Sequence, residues 1–299
     1  MTPIWLAHRD RLMARLMQRM WRHVPRCRDL RGLAADAWQA VHLSPDRPFV
    51  IEVEIGDCLG LGPTAFRCDA GGGHPFVDTL QGIADGQLTA YDRSPLADYY
   101  ARWQPATAAE VLGITDTGGW RRLPPLASPL PWDHLEPAAH LALWTEICER
   151  DYRVNGFDLT VATGWKGWGP IAPVAGEAEF ERLRRIFEAI RRAGYQRHAA
   201  HDGDIMGQVL CDGPRLRYLL GPGQHRIAAL AVLGHQTAPL RLDPHFIRRS
   251  DAELWPNVRR GYYTAAEARA LFDRIFAGRQ PCEVADRPES GAIPLRTRL

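Results

Sequence analysis

The stretch Arg217-Tyr-Leu-Leu-Gly-Pro-Gly-Gln-His-Arg-Ile-Ala-Ala-Leu-Ala-Val-Leu-Gly234 constrains this chain more than any other. Arg217 to Leu220 reads as the end of a strand and Gly221-Pro222-Gly223 as a turn. Ile227, Leu230 and Leu233, with alanines between them, give a short apolar helix that Gly234 closes. Thr237 to Leu242 resumes as a strand.

That order carries a chemical expectation. Gly223 lets a ligand approach the backbone, the first amides of the helix lack partners within the helix, and the helix dipole adds partial positive charge. A phosphate is expected there, held by Gly221, Gly223, Gln224, His225 and Arg226, with the arginine able to grip it through two hydrogen bonds. A tight strand-to-helix link with a solvated arginine would read the same. The glycines spell Gly-x-Gly-x-x-Arg, so the third dinucleotide-binding glycine is missing, and no Gly-x-x-x-x-Gly-Lys-Ser/Thr loop occurs.

Gly223-Gln224-His225-Arg226, Ala228-Ala229-Leu230 and Gly234 resemble the ParB/sulfiredoxin-like superfamily, whose members carry a Gly-x-His-Arg or Gly-x-Arg-Arg turn followed by an alanine-rich helix, a glycine and a strand. The resemblance runs from about 169 to 242, under half the chain. Its members include CTP-hydrolysing partition proteins, ATP-dependent sulfiredoxins and free-serine kinases, so it implies a nucleotide at this turn more firmly than any one reaction. Serine kinases of this kind have an aspartate where Pro222 stands, and sulfiredoxins a catalytic cysteine where Gln224 stands. Sulfinic-acid reduction is therefore not expected.

A chain of 299 residues can bury a large core, and its formal charge of +2 shows none of the bulk basicity of nucleic-acid binders. Cys27, Cys58, Cys68, Cys148, Cys211 and Cys282 form no Cys-x-x-Cys pair, which argues against a zinc site or a disulfide framework and for a reducing cytoplasm. No run of about 18 apolar residues is present, so no membrane span is expected. Residues 5 to 24 read as an arginine-rich amphipathic helix. Such a helix can lie on an anionic membrane, but its Leu, Met and Trp stripe suits docking onto the body of the protein.

Further elements follow in order. Pro48 to Ile55 alternates apolar and acidic residues, the pattern of a half-buried strand, and Gly60 to Gly73 reads as a loop. An anion cradle at Ala70-Gly-Gly-Gly-His74 lacks a flanking strand and helix. Ser94-Pro95 starts a helix, Thr107-x-x-Glu110 a second, and the proline-rich run from 118 to 137 reads as a connector between two domains. Helices are expected over 141–150 and 177–193. Ser250-x-x-Glu253 and Thr264-x-x-Glu267 are capping boxes for two more.

Three upstream features complete the candidate site. Gly164-Trp-Lys-Gly-Trp-Gly-Pro170 holds the only lysine, and Trp165, Lys166 and Trp168 could wall a substrate pocket; a buried aromatic turn reads equally well. Asp202 and Asp204 stand at the mouth of a strand, where paired acids can hold Mg²⁺ against phosphates or serve in catalysis. Glu177 is a further catalytic candidate, because the resemblance implies a base or metal ligand near this helix.

The expectation is an α/β (α+β) protein. An N-terminal α+β region over 1–135 precedes a ParB/sulfiredoxin-like nucleotide-binding domain over 136–299 with a helical C-terminal extension. The expected activity is nucleotide-dependent phosphoryl transfer or hydrolysis on a small molecule, using ATP, ADP or CTP with Mg²⁺; a homodimer is compatible with it. The alternatives are a nucleotide-gated protein that binds nucleic acid or another protein without transfer, and a degenerate core with a structural role only. The small C-terminal region leaves little room for a DNA-reading helix-turn-helix.

Overall fold

The computed structural model describes residues 27–197 and 203–281. The amphipathic pattern over 5–24, Asp202, Cys282 and the polar tail lie outside the described residues. Among those described, the chain runs β1 (Arg28–Asp29), α1 (Ala37–Leu43), β2 (Phe49–Glu54), β3 (Cys58–Gly60), β4 (Phe66–Arg67), α2 (Pro75–Ala84), α3 (Pro95–Arg102), α4 (Ala108–Leu112), α5 (Pro137–Val154) and α6 (Pro173–Ala193). It continues with β5 (Ile205–Asp212), β6 (Arg215–Leu220), α7 (Gln224–Val232), β7 (Thr237–Leu242), β8 (Ile247–Arg248), α8 (Pro256–Arg259) and α9 (Ala265–Phe276). None of these helices is long and apolar enough to cross a membrane.

Local chemistry explains most of the helix ends. Ser94 Oγ accepts from Ala97 N at the start of α3. Thr264 and Glu267 close a reciprocal capping box on α9, at 3.2 and 2.9 Å. The expected box at Ser250 does not form: residues 249–254 make a tight 3₁₀ turn and the Ser250 hydroxyl donates to Asp251. In α6 the residues Phe180, Leu183, Phe187 and Ile190 share one buried face, and Gly194 ends the helix with φ +72°.

The strands form one mixed sheet in the order β1-β2-β7-β5-β6-β3-β4, with β8 pairing the far end of β5. Strands β5 and β6 form an antiparallel hairpin, while β7 runs parallel to β5 and antiparallel to β2. Side chains alternate across the sheet. Val209, Tyr218 and Leu220 join one core with Phe76, Phe180, Phe187 and Ile227, whereas Leu59, Leu210 and Leu219 join a second with Trp132, Trp255 and Phe272. Helices therefore cover both faces, and this is why β2 is buried at Phe49, Val50 and Ile51 rather than alternating throughout.

Three expectations are corrected here. The segment 60–73 is not all loop, since it holds the end of β3 and all of β4, and the glycine turn at 70–73 leads into α2. The run from 118 to 137 is no linker between separate units. Leu126, Leu130 and Trp132 are buried, Asn257 Nδ2 donates to Leu130 O and Leu135 O, and the Tyr263 hydroxyl donates to Pro129 O. The boundary at 135/136 likewise falls inside a shared structure, because β2 pairs β7 over six residues and both cores draw on residues from each side.

Phe272 is fully buried against Trp132, Trp255 and Phe276. Phe272→Ala is expected to destabilise the protein by about 3–5 kcal/mol. Urea unfolding followed by circular dichroism and tryptophan fluorescence should still give one shared transition; two separated transitions would show that the halves fold independently.

Candidate functional site

The glycine turn sits where β6 meets α7, and it is pinned to β5 on its other side. Gly221 N donates to Met206 O and Met206 N to Pro222 O, both at 3.0 Å. Gly223 has φ +94°, and a Cβ there would come 2.7 Å from Ile205 Cα. The glycine that seemed placed for a ligand is thus required by the packing of the turn on β5. Arg226 N and Ile227 N both donate to Gly223 O, whereas Gln224 N and His225 N enter no hydrogen bond among the described residues. Those two amides and the partly exposed Arg226 share the positive end of α7.

The other turn residues divide in role. Gly221 is exposed, and Gln224 is committed, since its Oε1 accepts from Leu61 N at 2.7 Å and ties α7 to the segment after β3. His225 turns inward, only 5% exposed, with its ring stacked on Phe76 at 4.8 Å and 20°. Its Nε2 lies 2.7 Å from Glu179 Oε1, and Glu179 is 4% exposed. Burial pushes the imidazole pKa down, against the pull of Glu179, so the ring is neutral near pH 7. The neutral ring donates Nε2–H to the carboxylate and keeps its lone pair on Nδ1.

Glu179 in turn belongs to a chain of alternating charge. Its Oε2 lies 3.8 Å from Arg182, which forks onto Asp151 at 2.7 and 3.2 Å, and Asp151 Oδ2 also accepts from Lys166 Nζ at 2.8 Å. Burial alone would raise the Glu179 carboxyl, but His225, Arg182 and Lys166 overcome it and hold its pKa at about 2. Asp151 is likewise held below the usual carboxylate range, because Lys166 and Arg182 outweigh its burial. Lys166, expected as a substrate contact, is therefore linked to His225 through three charged side chains.

Beside His225 lies His74, wholly buried, whose Nδ1 accepts from Phe76 N while Nε2 has no hydrogen-bond partner among the described residues. Burial and the neighbouring His225 push its pKa down to about 3, so it too is neutral.

No family model, curated protein or solved structure matches this chain. Its chemistry rests on its own geometry.

The expected site residues are brought together in part. Asp204 adjoins Gly223, but its carboxylate is 1% exposed and faces Arg197 at 2.9 Å and Arg241 at 3.7 Å. A Mg²⁺ ion does not fit there, since it would meet two guanidinium groups already neutralising its ligand. Asp202 lies outside the described residues. Glu177 is exposed, and Glu179, one half-turn on, is the carboxylate that meets His225. The signal for Glu179 was present: it stands four residues before Leu183 on the apolar face of α6, where a charge needs a buried partner. A cavity of about 690 Å³ lies elsewhere, at the Asp212–Arg215 end of the hairpin, and each of its three arginines is held by an aspartate.

Removing Glu179 leaves the buried His225 Nε2–H without its acceptor, so Glu179→Ala is expected to cost about 1–3 kcal/mol of stability. Glu179 has a folded pKa depressed from 4.5 to about 2, so its stabilisation is present above pH 4.5 and lost as pH falls towards 2. His225, depressed from 6.5, acts in the same direction below pH 6.5. Urea midpoints measured from pH 7 to pH 2 should fall steeply in the wild type and less steeply in Glu179→Gln; parallel curves would contradict the pair.

Proposed function

We propose that the chain has a ParB/sulfiredoxin-like core and binds a nucleotide through its phosphates at the Gly223–Arg226 turn, acting as a phosphotransferase or nucleotide hydrolase on a small molecule. The observation that carries this reading is the strand, glycine turn and helix arrangement with two amides, Gln224 N and His225 N, that are unpaired among the described residues, and Arg226 at the same end. Amides at a helix N-terminus and an arginine form an anion site without further machinery.

Arg197 and Arg241 lie next to the turn, but Asp204 and, for Arg197, Asp29 answer their charge, so Arg226 is the side chain that carries the reading. Glu179 and Gln224 contribute by position: one fixes the imidazole of His225 and the other the start of α7, so the phosphate donors need little reordering on binding. ATP, ADP and CTP all present α- and β-phosphates to such a turn. No step is assigned to Mg²⁺, because Asp204 is committed to arginines. Trp165, Lys166 and Trp168 are placed on the acceptor side, connected to the turn by the Asp151–Arg182–Glu179 chain.

Arg226→Ala is expected to remove one charge-assisted contact worth about 1.5–3 kcal/mol, weakening nucleotide affinity roughly ten- to a hundredfold with the fold retained. Calorimetric titration with ATP, ADP and CTP checks this; equal affinities in the folded variant and the wild type would refute the site. Sequence-specific DNA binding that persists at physiological salt, with labelled nucleotide left intact in every metabolite pool, would favour a nucleotide-gated binding protein instead.

A further inference from the structure

Trp144 on α5 and Trp165 and Trp168 on the loop before α6 form an aromatic surface next to the charged chain. The Trp144 and Trp165 rings are 6.0 Å apart and inclined at 63°, and those of Trp165 and Trp168 are 6.4 Å apart at 72°. All three are partly exposed, whereas Trp103, Trp132 and Trp255 are sealed in the two cores.

The loop that carries two of these rings is held from beneath. The Tyr99 hydroxyl donates to Gly167 O at 2.6 Å, Tyr100 to Lys166 O at 2.9 Å and Tyr152 to Gly164 O at 3.0 Å. Gly169 N donates to Trp103 O at 2.8 Å, and a Cβ at Gly167 would come 2.5 Å from the Trp165 Nε1. Three buried or half-buried phenols spent on three loop carbonyls fix the indoles before any ligand arrives, which lowers the entropic cost of binding.

The polar neighbours of the rings indicate the ligand. Lys166 Nζ stands 5.2 Å from the Trp165 centroid and 2.8 Å from Asp151 Oδ2, and both side chains are just over a quarter exposed. Asp151 also receives both prongs of Arg182, and with Glu179 the four side chains carry no net charge, yet they offer ammonium donors and carboxylate acceptors beside apolar ring faces. An anionic ligand would gain nothing from a cation already paired. A run of stacked bases needs platforms that face the same way, and these rings are crossed.

We propose that this surface binds a neutral, polyhydroxylated ring, a sugar. Its C–H faces lie on Trp144 and Trp165 and its hydroxyls reach Lys166 and Asp151. The inference rests on the proposed phosphotransferase reading only in making the sugar the acceptor; the binding itself does not require that reading.

The test uses the full chain, titrated calorimetrically with glucose, galactose, mannose, N-acetylglucosamine, maltose and cellobiose, with adenosine in parallel. At least one sugar should bind, and Trp144→Ala and Trp165→Ala should each weaken it tenfold or more. Trp38→Ala, remote on α1, should leave it unchanged. Lys166→Met, which spares the rings, should also weaken sugar binding, and it replaces Trp165→Ala if that variant does not fold. No sugar bound by folded wild type, or adenosine bound in place of sugars and lost in Trp144→Ala, would overturn the proposal. ATP titrated into the same samples separates the two readings: ATP binding without sugar binding sinks the sugar surface alone, and sugar binding without ATP binding sinks the phosphate site alone.

Discussion

The contact between Glu179 and His225 governs the architecture around the turn. An ionised carboxylate at 4% exposure is tolerable only with partners, and once Glu179 is placed on the inner face of α6 the rest follows. His225 and Arg182 supply those partners, Arg182 needs Asp151 on α5, and Asp151 draws in Lys166 from the tryptophan loop. Four segments distant in the chain are thereby fixed relative to one another by alternating charge. The stack of His225 on Phe76 adds α2 to the same cluster.

The glycine turn illustrates how packing alone can require a residue. Gly223 is needed because Ile205 occupies the space a side chain would take and because its φ is positive. That same conformation ends β6 and starts α7, whose first two amides, Gln224 N and His225 N, enter no hydrogen bond among the described residues. Close approach of β5 to the turn thus accounts for the glycine without a ligand.

The two-faced sheet explains why the chain is not divisible near residue 135. The central strands β5, β6 and β7 come from the C-terminal half, but β2 and β3 complete the sheet on either side. The second face is covered by α9 and by Trp132 and Trp255, and the proline-rich run is held against it by Asn257 and Tyr263. Prolines here remove backbone donors, so the buried segment joins no ladder and its carbonyls accept from the Asn257 and Tyr263 side chains and from Asn257 N.

Local signals were legible from residues alone wherever neighbours in sequence decide the outcome. The apolar period of α6, the caps at Ser94 and Thr264, the strand at 237–242 and the β6–turn–α7 run needed only short-range spacing. What tertiary structure decided were the long-range pairings. Glu179 rather than Glu177 meets His225 because the helix face, not the proximity in sequence, selects the carboxylate. Asp204 meets Arg241 because β7 lies beside β5, and Arg197 reaches it from the segment after α6. The short strands β3 and β4 exist only because β6 offers an edge to pair with, a partner more than 140 residues away that no local pattern encodes.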